Sequence, residues 1–507
     1  MKKTILAILT ILLINKIEAQ VNYGKEWVTG GGISYKINFA NTGIINTYLD
    51  TFYSPYFTEG NSNICDTSGN LILCSDGFNV YDSNANYIDG GDTLIPNYYY
   101  TEQNGWSFAS QSSIFLPMDS SKYYFITPTF SDSAYYECHV NSGSCFFDLL
   151  LYNVIDMKAN GGAGKVVKRM QPIMQNAQLS KTQMMACRHA NGKDWWLLKQ
   201  GGDSNIVYKF LFTQDSVYDF GRQVFNEPLF GAWDLEGQSV FNYDGSKYAT
   251  TVKSFQSTGL VSIFDFDRCY GKLSNLKVIH APEIVFPIDS ITNGLDALTT
   301  GLAYSPNGRF LYVALQYDIY QYDTQDTTWY LVAGIDTTFT QFQNYTTIYL
   351  APDSKLYIGN FNGLSKQMSR IDNPDVKGAG CNFCPRCLRL DSVFHYGGAG
   401  TPPCMPNYSL GAKVCFPDGA TEVQKAANNI LLYPNPANTQ LNIKYNSAFD
   451  TRLQIVDMLG IVIKEIFLSK TTQTVAINVN DMMSGVYVYR QLEGKAILNT
   501  GKLVINN

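Results

Sequence analysis

The densest group of reactive side chains is GCNFCPRC at residues 380–387, where Cys381, Cys384 and Cys387 are followed by His395, Cys404 and Cys415. Two consecutive Cys-x2-Cys spacings plus a histidine are donors of the kind that hold zinc tetrahedrally. Cys381, Cys384, Cys387 and His395 are therefore the metal candidates. No second close Cys-x2-Cys or His pair completes a zinc ribbon, and outside the cytosol such thiols serve as disulfides, the reading we prefer. Cys384-Pro385-Arg386-Cys387 has redox-motif spacing, but no βαβ pattern surrounds it. Cys65 and Cys74 flank CDTSGNLILC symmetrically about Gly69-Asn70. A two-residue hairpin loop there would set the two sulfurs face to face in a non-hydrogen-bonded pair. Cys138 and Cys145 bracket CHVNSGSC, a second local clip. The disulfide candidates are thus Cys65, Cys74, Cys138, Cys145, Cys381, Cys384, Cys387, Cys404 and Cys415. Because the total of 11 cysteines is odd, at least one thiol is free or shared between chains.

Other catalytic patterns are missing. The four histidines, His139, His189, His280 and His395, form no HExxH, and no GxSxG elbow occurs. NGGAGKVV has Gly164-Lys165 without a following Ser or Thr, so it reads as a turn between strands and not as a phosphate loop. Asp265 and Asp267 share a strand face and have the chemistry for calcium or for glycoside hydrolysis, yet no second acid can be placed opposite them. They read better as solvent-facing partners of the inward Phe264 and Phe266. Trp195-Trp196 and Tyr98-Tyr99-Tyr100 have ring faces suited to sugars, but core packing explains them as well. No residue pattern calls for a cofactor.

The elements that must position these groups are strands. Charged residues make up only 16% of the chain while Tyr and Phe number 35 and 29, which suits exposed β surface and argues against helical bundles. A net charge of −6 leaves no basic footprint for nucleic acid. At the N-terminus, MKKTILAILTILLINKIEAQ has two lysines, an apolar run and Ala19 before Gln20. That is the plan of a secretory signal peptide over residues 1–19, with no cysteine after the cut to carry a lipid. The apolar run is too short to span a bilayer, and the expected mature protein has no transmembrane span.

From about residue 60 to 410 one phrase recurs: a strand, a Gly/Asn/Asp turn, then an aromatic and β-branched strand. It appears in CDTSGNLILCSDGFNVYDSN, SIFLPMDSSKYYFITP, CRHANGKDWWLLKQ, VFNYDGSKYATTV, GLAYSPNGRFLYVALQYDIYQYDT and YLAPDSKLYIGNF. The spacing of about 45–70 residues matches propeller blades with loop insertions. Six copies are visible. A seventh, joining WVTGGGISYKINF to strands from 388–412, would close the ring and remove its open edge. The fold expected is all-β: a β-propeller of seven blades, six being the alternative, over residues 20–416. Residues 417–430 lose the β pattern and read as a linker. After them come seven short alternating strands, with Gly460 and Gly485 at turns, the pattern of a small immunoglobulin-like β-sandwich over 431–507. Pro434 and Pro436 stand just before its clearest strand, where they cannot donate to a ladder.

Four motifs in this last segment carry a resemblance. Tyr433-Pro434-Asn435-Pro436-Ala437, VDMLGIVI at 456–463, Ser484-Gly485-Val486-Tyr487 and the terminal Lys502-Leu503-Val504-Ile505 together resemble the C-terminal sorting domain of type IX secretion cargo. The resemblance implies Sec export, passage through the type IX machinery as a partner, and a protein released or held at the cell surface. It makes Tyr433, Pro434, Asn435, Pro436, Gly460, Gly485, Tyr487 and Lys502 the sorting-motif residues. The central region is similar to propeller-like domains of gliding- and type IX-associated proteins. The residues that carry this are ICDTSGNLILCSDGFNVYDSN, LLYNVIDMKANGGAGKVV, HANGKDWWLL, VSIFDFDRCYGKLS and YLAPDSKLYIG. Asp132-Ser133-Ala134 and Asp391-Ser392-Val393 resemble O-glycosylation triplets of such bacteria. The function expected is a secreted, non-enzymatic binding protein that engages protein or glycan through the propeller's loop face. A glycan-acting propeller hydrolase and a structural surface or motility protein are the alternatives. A hydrolase requires acids or a nucleophile–base pair converging on the central channel; a wall of Tyr, Asn and backbone groups points to binding.

Overall fold

A computed structural model describes residues 22–30, 34–40, 43–48, 55–141, 145–202, 205–226, 237–254, 257–282, 299–315, 317–334, 345–360, 367–389, 401–415, 430–445, 450–457, 461–493 and 496–506. The expected signal peptide, most of the linker, His395, Gly460 and Asp391-Ser392-Val393 lie outside the described residues. The chain divides into two compact units, Met1–Lys413 and Val414–Asn507.

Among its described residues the first unit contains seven antiparallel sheets, each built from consecutive strands in chain order. The first has three strands, Glu26–Thr29, Tyr35–Ala40 and Gly43–Tyr48, and the second also three, Ser62–Cys65, Leu71–Ser75 and Val80–Tyr81. Five four-stranded sheets follow. The third runs Ile114–Pro117, Lys122–Thr129, Leu149–Asp156 and Lys165–Met174, and the fourth Leu179–Arg188, Trp195–Gly201, Ile206–Phe212 and Val217–Val224. The fifth comprises Ser239–Phe241, Lys247–Ser254, Ser257–Asp267 and Lys272–His280. The sixth comprises Thr299–Tyr304, Phe310–Leu315, Ile319–Asp323 and Thr328–Ala333. The seventh comprises Tyr345–Leu350, Leu356–Asn360, Gln367–Ile371 and Phe383–Arg389. The last sheet meets the first through Trp27 and Phe39, whose rings each pack edge-on against Tyr357 at 5.5 Å. A β-propeller results.

Burial falls from the axis outward. Phe310–Leu315 is buried along its whole length, because sheets stacked face to face cover both sides of an inner strand, whereas Val217–Val224 at the rim is mostly exposed. The recurring turn phrase has a local cause. Asp66 accepts hydrogen bonds from the amides of Ser68 and Asn70 (2.8 and 2.9 Å), and Asp119 accepts from those of Ser121 and Lys122 (2.7 and 2.8 Å). Asp244, Asn307 and Asp353 bond the amides of Ser246, Arg309 and Lys355 in the same manner. A short acceptor side chain thus closes each turn on itself. Gly69, Gly245 and Gly308 then take φ of 95°, 72° and 73°, a left-handed conformation that favours glycine.

At the axis the inner strands are spliced by amide side chains. Gln111 of the third sheet exchanges two 2.8 Å bonds with the Ser239 backbone of the fifth. Gln238 accepts from the amides of Leu302 and Ile348 (3.0 and 2.9 Å) and donates to the Ile348 carbonyl (2.8 Å). Gln183 donates to the Thr251 carbonyl at 2.8 Å. Each glutamine serves as a displaced peptide group, satisfying buried backbone that no neighbouring strand reaches.

The second unit is a sandwich of seven strands. A three-stranded sheet orders Leu431–Tyr433, Gln440–Lys444 and Thr474–Asn478, and a four-stranded sheet orders Val462–Leu468, Thr451–Val456, Gly485–Glu493 and Ala496–Ile505. Leu441, Ile443, Leu453, Ile455, Leu468, Tyr487, Leu503 and Ile505 fill the space between them. The first strand stops at Tyr433, as the prolines require.

Three expectations are corrected. Cys65 and Cys74 are not bonded to each other: the hairpin turns over Asp66–Asn70, which sets Cys65 opposite Leu71 and Cys74 opposite Asn63, so the sulfurs are offset along the ladder and remain buried thiols. Gly485 opens a strand and does not sit in a turn. Residues 401–413 do not pair with the first sheet as a strand, because Pro402, Pro403 and Pro406 interrupt any ladder; only a single parallel bridge forms, from Cys404 to Ser62 of the second sheet.

Candidate functional site

That proline-broken stretch, Thr401–Lys413, is a strap through the propeller. It starts at the first sheet, where Thr29 Oγ1 donates to the Thr401 carbonyl (2.8 Å), and passes the second, where the Cys404 amide donates to Asn61 (2.9 Å). Tyr408 then donates its hydroxyl to the Phe115 carbonyl (2.8 Å), and Asn407 donates to Tyr243 in a turn of the fifth sheet (2.7 Å). Arg268 donates to Gly411 (2.6 Å), and the Lys413 amide to Ala190 (2.7 Å). The strap therefore leaves the axis and crosses the face that carries the acceptor-closed turns.

Beside it lies a cavity of about 280 Å³. One wall is the strap, from Pro403 through Met405 to Leu410. The others are the segment entering the first strand (Asn22, Lys25, Trp27) and the turn ends of the fourth to seventh sheets. Trp27, Phe241, Tyr243, Tyr304, Tyr349 and Tyr408 supply its aromatic surface, and Asn22, Asn242 and Asn407 its amides. Among the described residues Lys25 is the one charged lining residue, and no Asp, Glu or His lines it. Cys187 is its only thiol, and burial pushes that thiol up to about 12, against the lowering field of Arg268, so it stays protonated at neutral pH. The wall can stack, hydrogen-bond and attract an anion. Among the described residues it carries no carboxylate or imidazole.

The residues singled out in the sequence sit elsewhere. Cys138 and Cys145 form a disulfide. Cys415 is disulfide-bonded, and so is Cys269, whose spacing from other cysteines gives no signal. Cys381, Cys384, Cys387 and Cys404 are thiols, not disulfides. Cys384 and Cys387 lie on the outer strand of the seventh sheet, where Cys387 Sγ donates to the Cys384 carbonyl at 3.4 Å, while Cys381 is buried in the short turn Gly378–Cys381. Cys384 and Cys387 interact through their side chains, while Cys381 lies in the turn before that strand. Among the described residues no three His, Cys, Asp or Glu side chains come together as a metal site. Cys404 is buried beside the Tyr349 hydroxyl, and burial raises it to about 12.

Trp195 and Trp196 are core residues, their indoles donating to Pro117 (3.2 Å) and Arg268 (2.8 Å). Tyr98–Tyr100 lie on the short helix Asn97–Glu102, with Tyr99 buried. Asp265 pairs with Lys247 and Asn275, and Asp267 closes a turn at the Cys269 amide. In the sandwich, Asn435 donates to the Lys502 carbonyl and accepts from the Val504 amide, both at 2.8 Å, and Tyr487 donates to Met483 at 2.8 Å. Pro434 and Pro436 hold Asn435 between them. Sequence reasoning missed the strap. Its one visible sign is the triple-proline string in a stretch that otherwise alternates poorly.

Residues 431–506 match the family described as the secretion system C-terminal sorting domain. The match marks the chain as type IX secretion cargo, handled by that machinery and delivered to the cell surface or the extracellular space. Among the described residues no helix is long and apolar enough to cross a membrane. No curated protein matches the chain. Among solved structures, a protein from Lactobacillus plantarum is 11% identical with a TM-score of 0.41, over 75% of this chain and 98% of that one. A Bacteroides fragilis protein provisionally assigned as a 6-phosphogluconolactonase is 13% identical with a TM-score of 0.38, over 68% and 90%. The β-propeller domain of Myceliophteria thermophila Cps50 (Swd1) is 11% identical with a TM-score of 0.28, over 70% and 93%. At that level none of the three bears on activity.

Proposed function

We propose that residues 20–416 form a seven-bladed, non-enzymatic propeller that captures protein or glycan at the cavity beside the strap. Residues 417–430 act as a linker, and residues 431–507 deliver the propeller outside the cell. One observation carries this reading: among the described residues the cavity wall has six aromatic side chains and no carboxylate or imidazole. Aromatic faces with interspersed amides provide contact area and orientation, the usual make-up of a binding pocket. Hydrolysis of a glycosidic bond would need two carboxyl groups flanking one point.

The test is a screen of the secreted full-length protein against glycan and protein arrays, run beside a panel of chromogenic glycoside and ester substrates. Saturable capture that is lost in Tyr243→Ala, with no turnover, is the expected result. Turnover that survives purification to constant specific activity would refute the reading.

A further inference from the structure

Most polar side chains around the cavity are already engaged by the protein. Asn242 bonds Ser246 and the Lys247 amide. Asn407 bonds the Tyr243 carbonyl and Ser409. Asn22 and Lys25 differ: both line the cavity, and neither side chain has a hydrogen bond or ion pair with any described residue. Tyr304, another lining residue, has a buried hydroxyl that also lacks a partner among the described residues. Tyr243 is 50% exposed and offers a ring face at the mouth.

The sign of the charge narrows the ligand. With Lys25 as the only charged lining residue among the described residues, a cationic ligand would be repelled and an anionic group would gain a partner. An inorganic anion would make no use of the exposed Tyr243 ring. A ligand carrying an anionic group, several hydroxyls and an apolar C–H face uses Lys25, Asn22 and that ring together, because sugar rings present that face to aromatics. The volume of about 280 Å³ is near the lower limit for small-molecule sites, so one ring enters and the rest of a chain stays outside.

We infer that the cavity recognises an acidic sugar residue of the hexuronate class, with the carboxylate at Lys25, ring hydroxyls within reach of Asn22, and the C–H face on the aromatic wall. The inference rests on the binding reading above and specifies its ligand.

It is tested by titrating the full-length protein with methyl β-D-glucuronide and methyl β-D-glucoside, for the parent protein, Lys25→Gln and Lys25→Arg. The glucuronide should bind at least tenfold more tightly than the glucoside. Lys25→Gln should abolish that preference while leaving glucoside affinity within about twofold, and Lys25→Arg should retain it. Equal affinities for the two sugars in the parent protein, or no binding of either, would overturn the inference even if the glutamine variant failed to fold. A glucuronide preference that persists in Lys25→Gln would overturn it as well. Any of these results leaves non-enzymatic capture standing. Release of p-nitrophenol from a p-nitrophenyl glucuronide would instead remove the binding reading itself.

Discussion

The centres of the two units are filled by opposite kinds of side chain, although both units also bury apolar clusters between their strands. Along the propeller axis Gln111, Gln183, Gln238 and Ser239 are fully buried and bonded to backbone, while between the sheets of the sandwich Leu441, Ile443, Leu453, Ile455 and Leu503 make a continuous apolar filling. Geometry explains the contrast. Two sheets packed face to face leave a gap that aliphatic side chains fill. Sheets arranged around an axis converge there without pairing, so backbone groups at their inner ends need side-chain partners. A centre built this way accepts a foreign segment such as Thr401–Lys413, and a cavity appears beside it. The sandwich core is filled by aliphatic side chains, with polar contacts at an exposed edge, Asn435 to Lys502 and Val504, and one buried contact in which Gln491 donates to Thr451.

The contrast assigns each unit a task, and deletion gives the largest expected effect. Removing residues 431–507 should leave a folded propeller in the periplasm, with export to surface and medium falling to background on immunoblots of fractionated cells. Normal release would break the assignment. Next in size is Gln238→Leu. It adds apolar volume yet leaves the amides of Leu302 and Ile348 unpaired, and should cost about 3 kcal/mol, read as a lower unfolding midpoint in denaturant. A stabilised variant would mean that the axis is an ordinary apolar core. Asn435→Ala in the sandwich should cost about 1 kcal/mol, because its two bonds lie at an exposed edge that water can satisfy.

The smallest expected effect is acid sensitivity. Asp323 is fully enclosed and takes two bonds from Arg309, at 3.1 and 2.7 Å, which hold its carboxyl well below the ordinary 3.8; burial opposes them. A carboxyl depressed in the folded state adds stability above its unfolded value, and that stability is lost as pH falls through the folded one. The propeller should therefore lose stability below about pH 4, and Asp323→Asn should flatten that fall while lowering stability at neutral pH. If the pair were unimportant, thermal melts of the parent and of Asp323→Asn would change in parallel across pH 2–7.

What could be read from the sequence follows the same division. Short-range causes were visible: the turns of Asp66, Asp119 and Asp244 are set by residues two or three positions apart, and Tyr433–Pro436 sets where the first sandwich strand stops. Contacts made across the ring were not. Gln111 and Ser239 are separated by 128 positions, and Tyr408 reaches Phe115 across 293, so nothing local reveals them. The hairpin symmetry around Gly69-Asn70 misled for a related reason: the turn closes over Asp66–Asn70, and the ladder then sets Cys74 opposite Asn63 and not Cys65. Likewise the reactive-looking residues near Cys384 proved peripheral, while the cavity drew on plain Asn22, Lys25 and Tyr243, whose significance lies in where the strap passes.

The most direct test is hydrogen exchange on the full-length protein with and without a ligand captured from the arrays. Added protection confined to peptides covering Asn22–Trp27, Phe241–Tyr243 and Pro403–Leu410, with residues 431–506 unchanged, is the predicted result. Protection that falls instead on the sorting domain, or on the rim strands Val217–Val224 and Lys272–His280, would contradict the account.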